Sequence, residues 1–272
     1  MSAPTATYSV LIRYQGDGFH GVALQPGLRT VGQVLKDAVV AATGLEPVAM
    51  AFAARTDARV HARAQVASFR LTPAPSPESL RDALARTLPA DLRVLAVEQR
   101  SRSFHARASA SGKHYRYRIL AGVDGEATPH AWCVKPHLDV ARMREAAQEM
   151  EGTHDFTALR HPRCSARNPV RTVTAVRVRE RRLRSGAQYF VVDVRGEGFL
   201  RQMVRIMAGT MGMVGAGWLS PQDVAEALSR RDRGATGPAA PAHGLTLWKV
   251  ELAREEAAAG WGGAASGHPV PR

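Results

Sequence analysis

Cysteine is scarce in this chain. Only Cys133 and Cys164 occur, too few for a disulfide framework, so both are expected to stay reduced. Long apolar runs are also missing. The nearest approach, residues 203–219, is interrupted by Arg205 and several glycines; it falls short of the roughly 18 clean residues of a membrane span and reads as a buried helix. No basic amphipathic helix stands out as a membrane anchor. The first seven residues lack the basic start and apolar core of a signal peptide, which makes the cytoplasm the expected compartment. There is no G-x-S-x-G elbow, so a serine hydrolase is not indicated despite His154-Asp155. Asp155 is instead expected to order the turn after Gly152. No fixed-period repeat is present.

Acidic residues are outnumbered. Against 37 Lys and Arg stand 24 Asp and Glu, a formal net charge of +13. Such a surface favours a polyanionic partner and salt-dependent binding, with nucleic acid ahead of a membrane. Of the 272 residues, 45% are hydrophobic, enough to bury a core in one large or two smaller domains.

Residues 8–14 alternate as a strand and stop at Gly16-Asp17-Gly18. Thr30 can cap a helix whose apolar residues Val31, Val34, Leu35, Ala38, Val39 and Ala42 fall at helical spacing, with Gly44 just beyond it. Ser76-Pro77 opens a second helix that Pro89 stops, and a strand follows at 92–97. After a crossing through 104–119, the pattern predicts a helix over 140–150, strands at 172–178 and 189–194, and a buried helix at 200–214. A capped helix after Ser220-Pro221 and a final strand at 245–252 complete it. Without regular β-α-β alternation, this order implies an α+β fold with mixed, mostly antiparallel sheet flanked by helices. Two similar halves are expected, residues 7–108 and 109–253, with a flexible Ala/Gly-rich tail at 254–272.

One stretch stands apart: Ala53-Ala54-Arg55-Thr56-Asp57-Ala58-Arg59-Val60-His61-Ala62. An apolar lead-in precedes it. Residues 65–71 follow with Ala67, Phe69 and Leu71 on one face and Val66, Ser68 and Arg70 on the other, as in a half-buried strand. A carboxylate beside an arginine stays ionised where water is excluded, because the cation offsets the desolvation penalty. By itself, such a pair can equally be structural and merely fix a turn. Two basic clusters lie further on: Arg160, Arg163 and Arg167 in a proline-containing loop, and Arg177 to Arg184. Each can be a solvated face or a phosphate-contacting surface.

Seven pieces in order complete the picture: Arg55-Thr56-Asp57-Ala58 with Val60-His61-Ala62; Leu88-Pro89-Ala90-Asp91; Phe104-His105-Ala106-Arg107; Lys113 with Tyr115-Arg116-Tyr117; Gly152 with His154-Asp155-Phe156; Gly198-Phe199-Leu200 with Met203-Val204-Arg205; and Gly244-Leu245 with Leu247. Over about residues 9–250 the chain resembles the tRNA pseudouridine synthases of the TruA type. The resemblance implies a pseudouridine synthase-like fold with an active cleft between the halves. It also implies isomerisation of uridine to pseudouridine at positions 38 to 40 of the tRNA anticodon stem-loop, no metal or organic cofactor, and a homodimer.

Carried over residue by residue, Asp57 is the catalytic carboxylate and Arg205 its partner. Tyr115 stacks on the uracil, Leu245 packs against the base, and Arg55 fills the space left by the extruded nucleotide. Arg59, Arg160, Arg163 and Arg167 are candidate RNA contacts, and His61 supports the loop. Moving uracil from an N- to a C-glycosidic link requires breaking one bond, turning the base and closing another while water is excluded. Asp57 can attack the sugar, attack the base, or stabilise positive charge on the ribose; the sequence leaves these open. The Tyr115 hydroxyl could assist removal of the C5 proton. Arg205, four residues after Arg201, is expected to share a helix face with it.

The chain departs from the family pattern at Arg59 and Ala54, where glycine is usual, and at Val22 and Ala23, where Trp and Gln are usual. At Arg59 a left-handed backbone would cost about 1 to 2 kcal/mol. Rival readings are a diverged paralogue acting on another RNA or a free uridine nucleotide, a non-catalytic RNA-binding relative, and a metalloprotein using the H-x-x-C pairs His130/Cys133 and His161/Cys164.

Overall fold

A computed structural model describes residues 3–125 and 128–253; the tail expected at 254–272 lies outside the described residues. These form two compact units. One comprises the described residues among 1–55, 62–111 and 250–272, the other those among 56–61 and 112–249.

In the first unit, β1 (Ala6–Tyr14) lies between β3 (His61–Leu71) and β4 (Leu92–Arg100), antiparallel to both, and β2 (Val48–Phe52) pairs antiparallel with β3. Two helices join this sheet, α1 (Val31–Thr43) and α2 (Pro77–Thr87). Their boundaries follow local chemistry. Thr30 and Ser76 each accept the backbone N–H three residues on, and Gly44 closes α1 in the left-handed conformation at φ 71°. The core gathers Tyr8, Val10 and Ile12 from β1 with Leu35, Val39, Leu80 and Leu84 from the helices. Strand β3 is not half-buried as expected, because Val66 and Ser68 are buried along with Ala67 and Phe69. The chain after β4 covers that face: the Ala106 N–H donates to the Ser68 hydroxyl at 3.0 Å, so the polar residue is satisfied while enclosed.

In the second unit the strand order is β10 (Leu245–Leu252), β5 (Ala110–Ala121), β9 (Gln188–Gly196), β8 (Val170–Arg182) and β7 (Gly152–Asp155), with the short β6 (Trp132–Val134) parallel to β5. The β5–β9, β9–β8 and β8–β7 pairs are antiparallel. Helices α3 (Val140–Glu149), α4 (Met203–Gly215) and α5 (Pro221–Arg230) accompany it, with α3 against α4, α5 and β8. Asp139 caps α3, and a full capping box of Ser220 and Asp223 starts α5. Alternation along the paired strands puts Tyr117, Ile119, Phe190 and Val192 on the buried face and Arg116 and Asp193 on the other. The fold class is therefore the expected α+β with a mixed, mostly antiparallel sheet and, among the described residues, five α-helices. The short strands β2, β6 and β7 carry too few residues to show a period in sequence.

Candidate active site

Asp57 lies in the loop joining β2 to β3. Its backbone carbonyl accepts the Val60 N–H at 3.3 Å, and its carboxylate receives Nη1 of Arg205 at 3.2 Å. The pair is sheltered but not sealed, with 29% of the Asp57 side chain and 15% of the Arg205 side chain exposed.

Arg205 is aimed by its backbone surroundings. It sits in the first turn of α4; its Nε donates to the Ala240 carbonyl at 2.8 Å, and the Ala240 N–H returns a bond to the Arg205 carbonyl at 3.0 Å. Residues 236–240 reach this position because α4 presents glycine where they cross. A Cβ on Gly209 would lie 1.9 Å from the Pro238 carbonyl oxygen, which no side chain tolerates. One bond to a carbonyl and one to a carboxylate use the two edges of a guanidinium, a division that an ammonium cannot copy. Arg201 does not share this face as expected. Gln202 is left-handed at φ 59°, and α4 begins only at Met203, so Arg201 stands outside the helix and exposed.

The far end of the loop is held by His61, which is buried; its Nε2 meets the His243 carbonyl at 3.1 Å. A carbonyl only accepts, so the proton is on Nε2. The His130 ring packs edge-on against His61 with centroids 4.7 Å apart. Next to His243 is Gly244, where a Cβ would meet the Tyr117 ring at 2.6 Å. Tyr117 in turn donates its hydroxyl to the Pro241 carbonyl at 2.7 Å, and burial pushes that hydroxyl far above the usual phenol range, against the pull of Arg205. The turn that supports His61 is thus built on a neutral buried tyrosine. Leu245, just after it, is buried.

Within the first unit, the chain that enters the loop is clamped at Ala54. The Gln65 side chain donates to the Ala54 carbonyl at 2.7 Å and accepts the Ala54 N–H at 3.1 Å. Ala54 does not have positive φ, so alanine serves there as well as glycine. Arg59 differs: it is exposed and left-handed at φ 65°, the conformation in which a side chain costs about 1 to 2 kcal/mol. Of the two missing glycines, only the one at 59 leaves strain behind.

The other expected site residues are placed as follows. Tyr115 is buried on β5, its ring perpendicular to Phe199 with centroids 5.3 Å apart. Arg55 is the exposed last residue before the Asp57 segment and belongs to the first unit. Arg160 uses Nη1 on the Ala166 carbonyl at 3.4 Å, whereas Arg163 and Arg167 are exposed. Asp155 caps the 3-10 turn Phe156–Leu159 by accepting the Thr157 N–H at 2.9 Å. In the first unit Val22 is core and its carbonyl accepts the Gly32 N–H at 3.0 Å, while Ala23 is exposed. The metal reading finds no support: among the described residues no three His, Cys, Asp or Glu side chains gather as ligands. Gln65 and the Ala240 carbonyl went unnoticed in sequence. A glutamine in a strand pattern was a signal for the first; a backbone acceptor leaves none.

A protein-family model described as tRNA pseudouridine synthase matches residues 146–252. A tRNA pseudouridine synthase A of Azorhizobium caulinodans is 41% identical over 89% of this chain and 93% of its own. That of Syntrophotalea carbinolica is 39% identical over 92% and 98%, and that of Geobacter sulfurreducens 37% identical over 90% and 99%. The chain belongs to the tRNA pseudouridine synthase A family. It is accordingly an isomerase, and no helix among its described residues is long and apolar enough to cross a membrane.

The family-matched segment also holds a second carboxylate among cations. Asp193 on β9 takes His114 Nε2 at 2.6 Å, Arg116 Nε at 2.9 Å and a bond from Arg179. Burial pushes its carboxyl up, but the bonds from His114 and Arg116 outweigh this and bring it down to about 2. Arg116 also lies over the Trp248 ring, 3.8 Å from its centroid. Along β8, Arg177 pairs with Glu151, Arg179 with Asp193 and Arg182 with Glu180. Much of the second basic cluster is therefore neutralised in place.

Proposed function

We propose that this protein converts uridine to pseudouridine at positions 38, 39 or 40 of the tRNA anticodon stem-loop, with Asp57 as the catalytic carboxylate. The observation that carries this reading is the Asp57–Arg205 pair at 3.2 Å, found in a chain of this family. Arg205 pairs with the carboxylate and turns it toward one side, leaving an oxygen for the ribose or the base. Tyr115, steadied by Phe199, offers a ring for the uracil to stack on, and Leu245 offers an apolar contact. Arg55 replaces the base that leaves the stem-loop, an extrusion that costs about a few kcal/mol. Arg59, Arg160, Arg163 and Arg167 meet the RNA backbone, in keeping with the net charge of +13. The protein works as a cytoplasmic homodimer in which both subunits contribute to the RNA cleft.

Tritium release from an anticodon stem-loop labelled at uridine C5 tests the assignment. Wild type should release tritium and Asp57→Asn should not; equal release would remove Asp57 from the mechanism. Carbodiimide mapping of tRNA from cells with and without the gene should show modification lost at positions 38 to 40, and an unchanged map would favour another RNA target.

A further inference from the structure

The loop that follows the 3-10 turn Phe156–Leu159 carries a side chain that this mechanism leaves unused. His161 is half-buried, and its Nδ1 accepts the backbone N–H of Arg163 at 3.0 Å. An accepting ring nitrogen bears no proton, so the hydrogen of the neutral imidazole is on Nε2. Among the described residues no hydrogen bond occupies that Nε2.

The loop is tied to the helix end that serves Asp57. The His161 N–H donates to the Arg201 carbonyl at 3.0 Å, and Arg201 Nη1 returns to the Arg163 carbonyl at 3.5 Å. Arg201 precedes α4 by two residues, and Arg205 of α4 holds Asp57. Desolvation, Arg201, Arg163 and Arg233 all lower the tendency of His161 to take a proton, while Asp57 raises it, with a net shift downward. Three guanidinium groups and the Asp57 carboxylate thus lie within electrostatic reach of a neutral imidazole whose donor has no partner in the described chain. Protonating Nδ1 would also break the Arg163 contact that closes the loop.

We propose that His161 is a positioning residue whose Nε2–H donates to a phosphodiester oxygen next to the reacting uridine. The anion is drawn there by Arg163, Arg201 and Arg233. This rests on the reading of the protein as a uridine isomerase acting on tRNA. The arginines supply charge without direction; the imidazole, fixed in one tautomer by its loop, supplies direction without charge.

Two substitutions separate the roles of the ring nitrogens. His161→Asn keeps an acceptor for the Arg163 N–H, as in an Asx turn, and removes the Nε2 donor. His161→Gln keeps a donor at the reach of Nε2 and gives up the turn acceptor. Binding of an anticodon stem-loop is measured across a potassium chloride series, alongside single-turnover pseudouridine formation at saturating RNA.

His161→Asn should weaken binding about three- to tenfold at every salt concentration, one hydrogen bond's worth, with the salt slope and the single-turnover rate unchanged. His161→Gln should bind within about twofold of wild type, while Arg163→Ala should reduce the salt slope by about one. Wild-type affinity in His161→Asn, equal weakening in both variants, or a changed salt slope in His161→Asn would each overturn the inference. A wild-type protein that forms no pseudouridine would instead remove the reading on which it rests.

Discussion

Asp193 and Asp57, both carboxylates of the second unit that face arginine, are treated in opposite ways. Asp193 is on a central strand, buried, and bonded to His114, Arg116 and Arg179. Asp57 is on a loop, more exposed, and among the described residues its carboxylate accepts one hydrogen bond, from Arg205 at 3.2 Å. Asp193 has its acceptor capacity spent on holding three strands together. Asp57 retains lone pairs and an approach from solvent. A carboxylate that is to act on a substrate must remain charged but unsaturated, and the neighbouring strained Arg59 at φ 65° is the kind of local cost that tends to gather at working sites.

The sharpest test of this contrast is to neutralise each carboxylate in turn. Asp57→Asn should lower the single-turnover rate of pseudouridine formation by at least about a thousandfold and leave the melting temperature nearly unchanged. Asp193→Asn should do the reverse, with urea unfolding reporting a loss of about 3 kcal/mol, because buried His114 and part-buried Arg116 lose the carboxylate they bond. Its pH dependence has a defined sign. The folded carboxyl lies at about 2, below the unfolded value near 3.9, so its contribution is complete above about pH 4 and fades as the pH falls toward 2. Acid unfolding of Asp193→Asn should lack that limb.

A smaller effect is expected at the counter-ion. Arg205→Lys can bond Asp57 or the Ala240 carbonyl but not both with the same geometry, so single-turnover chemistry should slow roughly tenfold, the equivalent of one lost bond. A wild-type rate would mean that Asp57 needs charge only, without orientation. The smallest effect falls on the loop itself. Arg59→Gly relieves a left-handed side chain and should raise stability by up to about 1 kcal/mol, while stem-loop affinity drops more than the rate on bound RNA. Unchanged affinity with an altered rate would break the assignment of Arg59 to RNA.

Much of the fold could be read from the chain because its signals are local. Thr30, Ser76 and Ser220 mark helix starts, Gly44 marks a helix end, and the alternation in β1, β5 and β9 marks their faces. The failures also have physical causes. Strand β3 looked half-buried because Ser68 is polar, yet Ala106 satisfies it from a distant part of the sequence. Arg201 looked helical because the apolar pattern reaches back past Gln202, whose left-handed backbone delays the helix. His61 read as a support and does hold the His243 carbonyl; His161 had only a metal-like spacing to recommend it, and its loop decides otherwise.

The sequence by itself determined the class of fold, the basic character, and the family through ordered motifs, since these depend on periodicity, composition and residue identity. Only the tertiary structure decided how Arg205 is aimed at Asp57, that Ala54 is harmless while Arg59 is strained, and which nitrogen of His161 is left to donate. Those outcomes depend on backbone angles and on carbonyl groups brought from far along the chain, and neither leaves a mark in the order of side chains.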